Sequence, residues 1–452
     1  MSSLIVFSLA LFAVSYFLMF TLQKARPWIA AAAALIFVAV GSLKLFPDFS
    51  YSFSDALGQI DWNVLLMIAG TMGTVYLFIE SKMPQLLSDL LIARTHSVQL
   101  FVITMSLFAG IISAFVDNVA TVLMVAPVAL AVCKKLKISP VPAIICISVS
   151  SNLQGAATLV GDTTSILLAK AAGLDFMGFF FLQGKPGMFW VTEAGALAAT
   201  LVIAWCFRKE RQSICLSDRT EVTDKVPSVL LLATVLTLIA ASFIPYQDAA
   251  REGQFYKPEI TNGVICMVYF LIGLVRQAVK DKSLRVVKAA AAEIDFYTIG
   301  LLAALFVVIG AISEAGIIDL LGDALAKLSG DGSRGSIFLV YSVIVWMSVI
   351  CSAFIDNIPY TATMLPVVAV IAKQLSAGGI AVNPNLLYFG LLVGATLGGN
   401  LTPIGASANI AGIGILRREG CEVSSGTFMK YSVPFTLTAV LVGYLLVWLI
   451  WM

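Results

Sequence analysis

The stretch SAFVDNVATVLMVAP, Ser113 to Pro127, returns 239 residues later as SAFIDNIPYTATMLP, Ser352 to Pro366. Each copy sets one carboxylate, Asp117 or Asp356, and one amide, Asn118 or Asn357, in the middle of an apolar run. A carboxylate at the centre of a bilayer costs about 3 kcal/mol or more, and such residues mark pathways or binding sites. Paying that cost twice, in the same local sequence, points to two related halves with a shared purpose.

The surroundings establish the membrane. Of 452 residues 60% are hydrophobic and 12% are charged, and the mean hydropathy is +0.96, too apolar for a soluble core. Eight apolar segments have the length of one crossing: about 3–20, 27–46, 61–79, 187–207, 228–245, 261–275, 296–313 and 431–452. Four are longer: 98–133, 141–171, 337–372 and 384–416. As one straight helix, residues 98–133 would extend roughly 54 Å, against a hydrocarbon core about 30 Å thick. We therefore read 98–133 and 337–372 as re-entrant hairpins with Asp117 and Asp356 at their tips. With the N-terminus outside, this scheme gathers most of the 28 Lys and Arg residues, Lys24 and Arg26 of the first connection among them, on the cytoplasmic side, as membrane topology favours.

The fold expected is an all-α polytopic membrane protein of about ten transmembrane helices, two re-entrant hairpins and two broken helices. Residues 1–207 form the first repeat, with hairpin 98–133 and broken helix 141–171. Residues 208–227 form a cytoplasmic connection. Residues 228–452 form the second repeat, with hairpin 337–372 and broken helix 384–416. Five crossings per half force the second repeat to be inverted.

The broken helices are read from their centres, SSNLQGAATLVGDTTS (Ser150 to Ser165) and GATLGGNLTPIGASAN (Gly394 to Asn409). Glycine and polar side chains at membrane depth mark unwound backbone, tolerated where it lines a polar cavity. The candidate substrate residues are Asn118, Asn152, Thr158, Thr163, Thr164, Ser165, Asn357, Asn400, Thr402, Ser407 and Asn409. Asp117, Asp162 and Asp356 are the candidate coupling-ion residues. No lysine or arginine lies within these polar centres, which suits a small neutral hydroxylated solute, a monovalent inorganic anion or an exchanged cation better than a dicarboxylate. A tip aspartate also serves as a helix cap, satisfying N–H groups that lipid cannot.

SAFVDNVATVL, GAATLVGD, SAFIDNIPYTATMLP and LGGNLTPIGASANI resemble the signature segments of the ion transporter superfamily, in its arsenite-permease and melanosomal P-protein branch. The resemblance implies a scaffold part and a transport part, with hairpin tips and broken helices holding substrate and coupling ion. It also allows for a homodimer and a separate ATPase partner. Where the P-protein branch usually reads GDPPN, this chain has Gly161-Asp162-Thr163-Thr164-Ser165, so its substrate does not transfer from a relative.

The reading is a secondary active transporter in the cell membrane. It moves a small inorganic anion or neutral oxyacid, arsenite-like, by alternating access, coupled to protons or sodium. A sodium/proton antiporter and a sodium-coupled carboxylate symporter are the alternatives, and a channel is the weaker one. No cofactor beyond a sodium ion or proton, no enzymatic chemistry and no nucleic-acid partner is expected. The seven cysteines form no CxxC pair, there is one histidine, His96, and no P-loop motif occurs. Cys351, beside the second tip, reads as packing.

Overall fold

The computed structural model describes residues 3–210, 212, 220–222, 224–246, 256–283, 285–327, 330, 332–377 and 382–452. Arg211, Arg219 and Cys215, which belong to the connection expected at 208–227, and Leu328 lie outside them.

The chain is a multi-pass membrane protein built from twenty helices among the described residues. The first ten are α1 (Ser3–Thr21), α2 (Arg26–Ser42), α3 (Phe53–Gln59), α4 (Trp62–Glu80), α5 (Met83–Ile92), α6 (Val98–Ser113), α7 (Asn118–Leu136), α8 (Val141–Gln154), α9 (Thr163–Ala172) and α10 (Met188–Cys206). The second ten are α11 (Val226–Ala241), α12 (Thr261–Asp281), α13 (Arg285–Glu293), α14 (Phe296–Glu314), α15 (Ile317–Ala326), α16 (Arg334–Ser352), α17 (Asn357–Ala377), α18 (Pro384–Gly398), α19 (Ser407–Arg418) and α20 (Ser425–Trp451). The only strands among the described residues form a small antiparallel pair, Phe181–Leu182 with Lys185–Pro186.

The two sets of ten follow the same plan, down to their caps. Asp61 accepts from Val64 N at 3.0 Å to start α4, and Asp295 accepts from Thr298 N at 3.0 Å to start α14. Ser97 and Ser333 cap α6 and α16 in the same way. Such caps satisfy first-turn N–H groups that would otherwise be buried without partners. Packing then exchanges elements between the sets: α2 lies along α14 while α12 lies along α4, and α7 packs on α19 while α17 packs on α9. The α4–α12 crossing is close because of glycine. A Cβ at Gly70 would sit 2.5 Å from the Cys266 carbonyl carbon.

These contacts sort the helices into two bodies. Helices α1 to α4 with α11 to α14 make one, and α6 to α10 with α16 to α20 make the other. Helices α5 and α15 run between them, and the bodies meet directly where α14 packs on α17 and α4 on α9. Outside the apolar layer, Asp224 ties the connection to α12, accepting from Arg276 at 2.8 and 3.2 Å and from Lys280 at 2.7 Å. Those two cations hold the Asp224 carboxyl well below the usual carboxylate range.

The overlong runs break at the carboxylates. Residues 114–117 separate α6 from α7 and residues 353–356 separate α16 from α17, so the hairpins run 98–136 and 334–377, a few residues beyond the sequence bounds. Their arms are longer than expected. Nine described helices are long and apolar enough to cross a membrane, and α7, α16 and α17 are among them. Helices α2 and α11 have 17 and 16 residues, about 25 Å each, so they fall just short by length. Broken helix 141–171 becomes α8 and α9 with 155–162 unwound. Broken helix 384–416 becomes α18, a 3-10 turn at Gly399–Leu401, and α19.

Candidate functional site

Each hairpin tip is clasped by the unwound segment of its own half. The Thr158 hydroxyl donates to the Ala114 carbonyl, and the Thr402 hydroxyl donates to the Ala353 carbonyl. Those carbonyls end α6 and α16 and have no next turn to pair with, so the threonines take that place. Close approach requires glycine in both halves. A Cβ at Gly161 would meet the oxygens of Gly155, Ser113 and Ala114 at 2.7, 2.9 and 3.0 Å, and one at Gly405 would meet those of Gly399, Ala353 and Ser352 at 2.6, 2.7 and 2.8 Å. The unwound segments are pinned from within as well. Ser165 Oγ donates to Gly155 O at 3.0 Å, while Asn409 Nδ2 donates to Gly399 O at 3.1 Å and Thr402 O at 3.2 Å.

An amide network joins the halves. Asn152, fully buried, accepts at Oδ1 from Asn118 Nδ2 (2.9 Å) and Asn357 Nδ2 (3.2 Å). Its Nδ2 donates to Thr396 O (2.8 Å) and Asn400 Oδ1 (3.1 Å). Asn400 in turn donates to Val149 O at 2.9 Å. All four hydrogen-bonding positions of Asn152 are filled, so two hairpin tips and two broken helices meet at one side chain.

In front of this network lies a cavity of about 380 Å³. Seven of the fourteen candidate residues line it: Asp117, Asn118, Asp162, Thr163, Asp356, Asn357 and Ser407. Asn152, Thr158, Thr164, Ser165, Asn400, Thr402 and Asn409 stand behind its wall, bonded to backbone or to one another. Thr164 belongs to that second group but touches the first: its hydroxyl donates to Asp162 Oδ2 at 2.9 Å and meets the Thr396 hydroxyl at 3.0 Å. Asp117 caps α7, accepting from Val119 N at 3.0 Å and Ala120 N at 3.1 Å. Asp356 accepts from Ser407 Oγ at 2.9 Å and Ile358 N at 3.3 Å. The tip aspartates therefore cap helices and face the cavity at once. Cys351 does not line it.

Several lining residues lie outside the motifs. Glu80 ends α4, Glu293 ends α13 and Asp295 starts α14, which brings the carboxylates on the cavity to six. The sequence signal for two of them is the acidic pair in Glu293-Ile294-Asp295, immediately before an apolar run. Among the described residues no three His, Cys, Asp or Glu side chains converge as a metal-binding group, so the acids are spread around the walls. The polar centres carry no lysine or arginine of their own, but the fold brings one to them. Arg26, read as part of a cytoplasmic connection, is buried and donates from Nη1 to Asp356 Oδ2 at 3.2 Å. Folding brings it there because α2 packs on α14, beside the second tip.

Residues 15–394 match the CitMHS family, described as citrate transporter. The chain is 28% identical over 450 residues to the uncharacterized transporter MT2759 of Mycobacterium tuberculosis (strain CDC 1551 / Oshkosh), with 98% of each chain covered. It is 26% identical over 472 residues to the P protein of Homo sapiens, covering 88% of this chain and 54% of that protein. Among solved structures, the Alcanivorax borkumensis YdaH transporter, noted for an unusual topology, aligns with a TM-score of 0.61 at 16% identity over 94% of this chain and 98% of that one. MtrF of Neisseria gonorrhoeae, from a class of antimetabolite efflux pumps, aligns with a TM-score of 0.54 at 15% identity over 86% and 80%. At these identities the likeness to the two structures is one of fold. The resemblance to the ion transporter superfamily and its P-protein branch holds over nearly the whole length, and the chain belongs to the CitMHS family of membrane transporters.

Proposed function

We propose that this protein is a cation-coupled secondary active transporter that works by alternating access, its two halves inverted about the membrane plane and its cargo bound in the cavity between the hairpin tips. One observation carries the reading: six carboxylates face a single cavity of about 380 Å³ at the junction of two bodies. Asp162 and Asp356 are buried and Asp117 is half-buried, and a carboxylate so placed must be matched by a cation or a proton. Spread as they are, these acids suit sodium ions or protons, with Asp117, Asp162 and Asp356 as the coupling groups.

The same lining bears on the cargo. A free anion would enter against six carboxylates, whereas a neutral oxyacid of the arsenous-acid type meets hydroxyl and amide partners in Asn118, Thr163, Asn357 and Ser407. A carboxylate such as citrate would have to enter with its own cations. The neutral oxyacid is the cargo we favour. Sodium/proton antiport is the second reading, favoured by the same carboxylates acting without cargo.

The test is an uptake and resistance screen in a host lacking its own arsenite, sodium/proton and carboxylate transporters, followed by reconstitution. Saturable, gradient-driven arsenite movement supports the first reading. Sodium-dependent dissipation of a pH gradient with no solute movement supports the second. Non-saturating flux without countertransport would make the protein a channel and refute both.

A further inference from the structure

Arg26 is the first residue of α2, and it does two things with one guanidinium. Nε donates to the Met19 carbonyl at 3.1 Å, tying the side chain to the end of α1, and Nη1 donates to Asp356 Oδ2 at 3.2 Å. Arg26 belongs to one body and Asp356 to the other, so the ion pair spans the junction between them. Both side chains are only 9% exposed. The other half is built differently. Asp117, at the matching tip, takes backbone N–H bonds from Val119 and Ala120, and no ion pair to it is formed among the described residues. Two equivalent tip carboxylates thus face the same cavity, and one of them already holds a tethered positive charge.

The consequence follows from electrostatics. Breaking a buried ion pair by removing one partner is strongly unfavourable, because the remaining charge is left without compensation. A donor–acceptor pair at 3.2 Å does not survive a relative shift of the two bodies by more than an ångström or two. Asp356 must then take a positive charge from elsewhere. Its carboxylate and the Ser407 hydroxyl beside it are hard oxygen donors, suited to an alkali cation, and one monovalent cation replaces one guanidinium without changing the net charge of the site.

We propose that Arg26 is an internal counter-ion that competes with the transported monovalent cation for Asp356. Arg26 neutralises the carboxylate in the empty carrier and gives it up when the cation binds. The pair therefore holds the empty carrier in the conformation described, and a shift of the two bodies requires the cation in its place at Asp356. This inference rests on the cation-coupled reading, but its test needs no knowledge of the cargo.

The test uses the purified full chain, with sodium chloride titrated against N-methylglucamine chloride at constant ionic strength and thermal stability as the readout. Arg26→Gln and Arg26→Met should reach half-maximal sodium stabilisation at a concentration at least tenfold lower than the wild type. Adding Asp356→Asn to either should abolish that gain. In proteoliposomes the neutral variants should retain sodium-22 exchange. A sodium midpoint unchanged in both variants would overturn the proposal. So would failure of both to fold, which would assign the pair a purely structural role. Absence of solute flux in the wild type would refute the carrier reading alone, since the shift in sodium binding between variants is measured without flux.

Discussion

Asn152→Leu removes the side chain at which the two halves meet, and its cost can be worked from the bonds it breaks. Asn357 Nδ2 keeps the Thr396 carbonyl at 3.4 Å. Asn118 Nδ2 and Asn400 Oδ1 lose the partners they have now, at 2.9 and 3.1 Å. Asn400 cannot recover by turning its amide, because its Nδ2 is held by the Val149 carbonyl at 2.9 Å. Each buried group left without a partner costs about 1–3 kcal/mol, which gives a destabilisation of about 2–6 kcal/mol. For a chain of this size, with each kcal/mol worth about 2 °C, the apparent melting temperature should fall by about 4–12 °C. Thr163→Ala, at a cavity-lining hydroxyl, should leave melting near the wild-type value. The assay is thermal unfolding in detergent followed by size-exclusion chromatography. An Asn152→Leu protein that melts within about 1 °C of wild type would refute the reasoning that this amide is the junction of the halves.

Gly161→Ala and Gly405→Ala should each prevent the unwound segment from closing on its hairpin tip, abolishing transport in reconstituted protein, whereas Gly300→Ala, where a Cβ meets nothing within 4 Å, should be active. Asp162→Asn should abolish proton-driven accumulation while permitting substrate exchange, and Asp117→Asn and Asp356→Asn should impair substrate or cation binding itself. Net uptake against equilibrium exchange, with and without sodium and a pH gradient, separates these outcomes, and full proton-driven accumulation by Asp162→Asn would defeat the division of labour. Replacing Thr163, Thr164 and Ser165 by Pro, Pro and Asn should alter substrate preference while leaving membrane insertion intact, because it removes the Thr164 bridge between Asp162 and Thr396 and rebuilds the wall at Thr163; unchanged kinetics for every transported solute would make this segment structural.

Much of the fold was legible because a carboxylate or a glycine in an apolar run has few physical explanations. Asp117 and Asp356 mark the breaks in the hairpins, and Gly161 and Gly405 mark the unwound segments, each because its local sequence is incompatible with a continuous lipid-facing helix. What each polar side chain faces was not legible. Asn152 and Asn400 look like Asn118 and Asn357 in sequence, and Asn152, Asn357 and Asn400 all bond across to the other half of the chain, yet packing alone sends Asn152 and Asn400 behind the wall and leaves Asn118 and Asn357 on the cavity. Arg26 is the sharpest case. Its position before a helix reads as a membrane-edge charge, and only the exchange of α2 onto α14 brings it to a carboxylate 330 residues away. The correspondence of α2 with α12 was hidden for a similar reason, since those helices carry no shared motif and reveal themselves only by packing on each other's half.

The proposed alternating access rests on inversion of the two halves, and cysteine labelling at the tips tests it most directly. Phe115→Cys and Phe354→Cys, made in a background free of other cysteines, are treated with a membrane-impermeant maleimide from one side of sealed, oriented vesicles at a time. The account predicts that position 115 is labelled from the cytoplasmic side and position 354 from the external side. Labelling of both tips from the same side would contradict it.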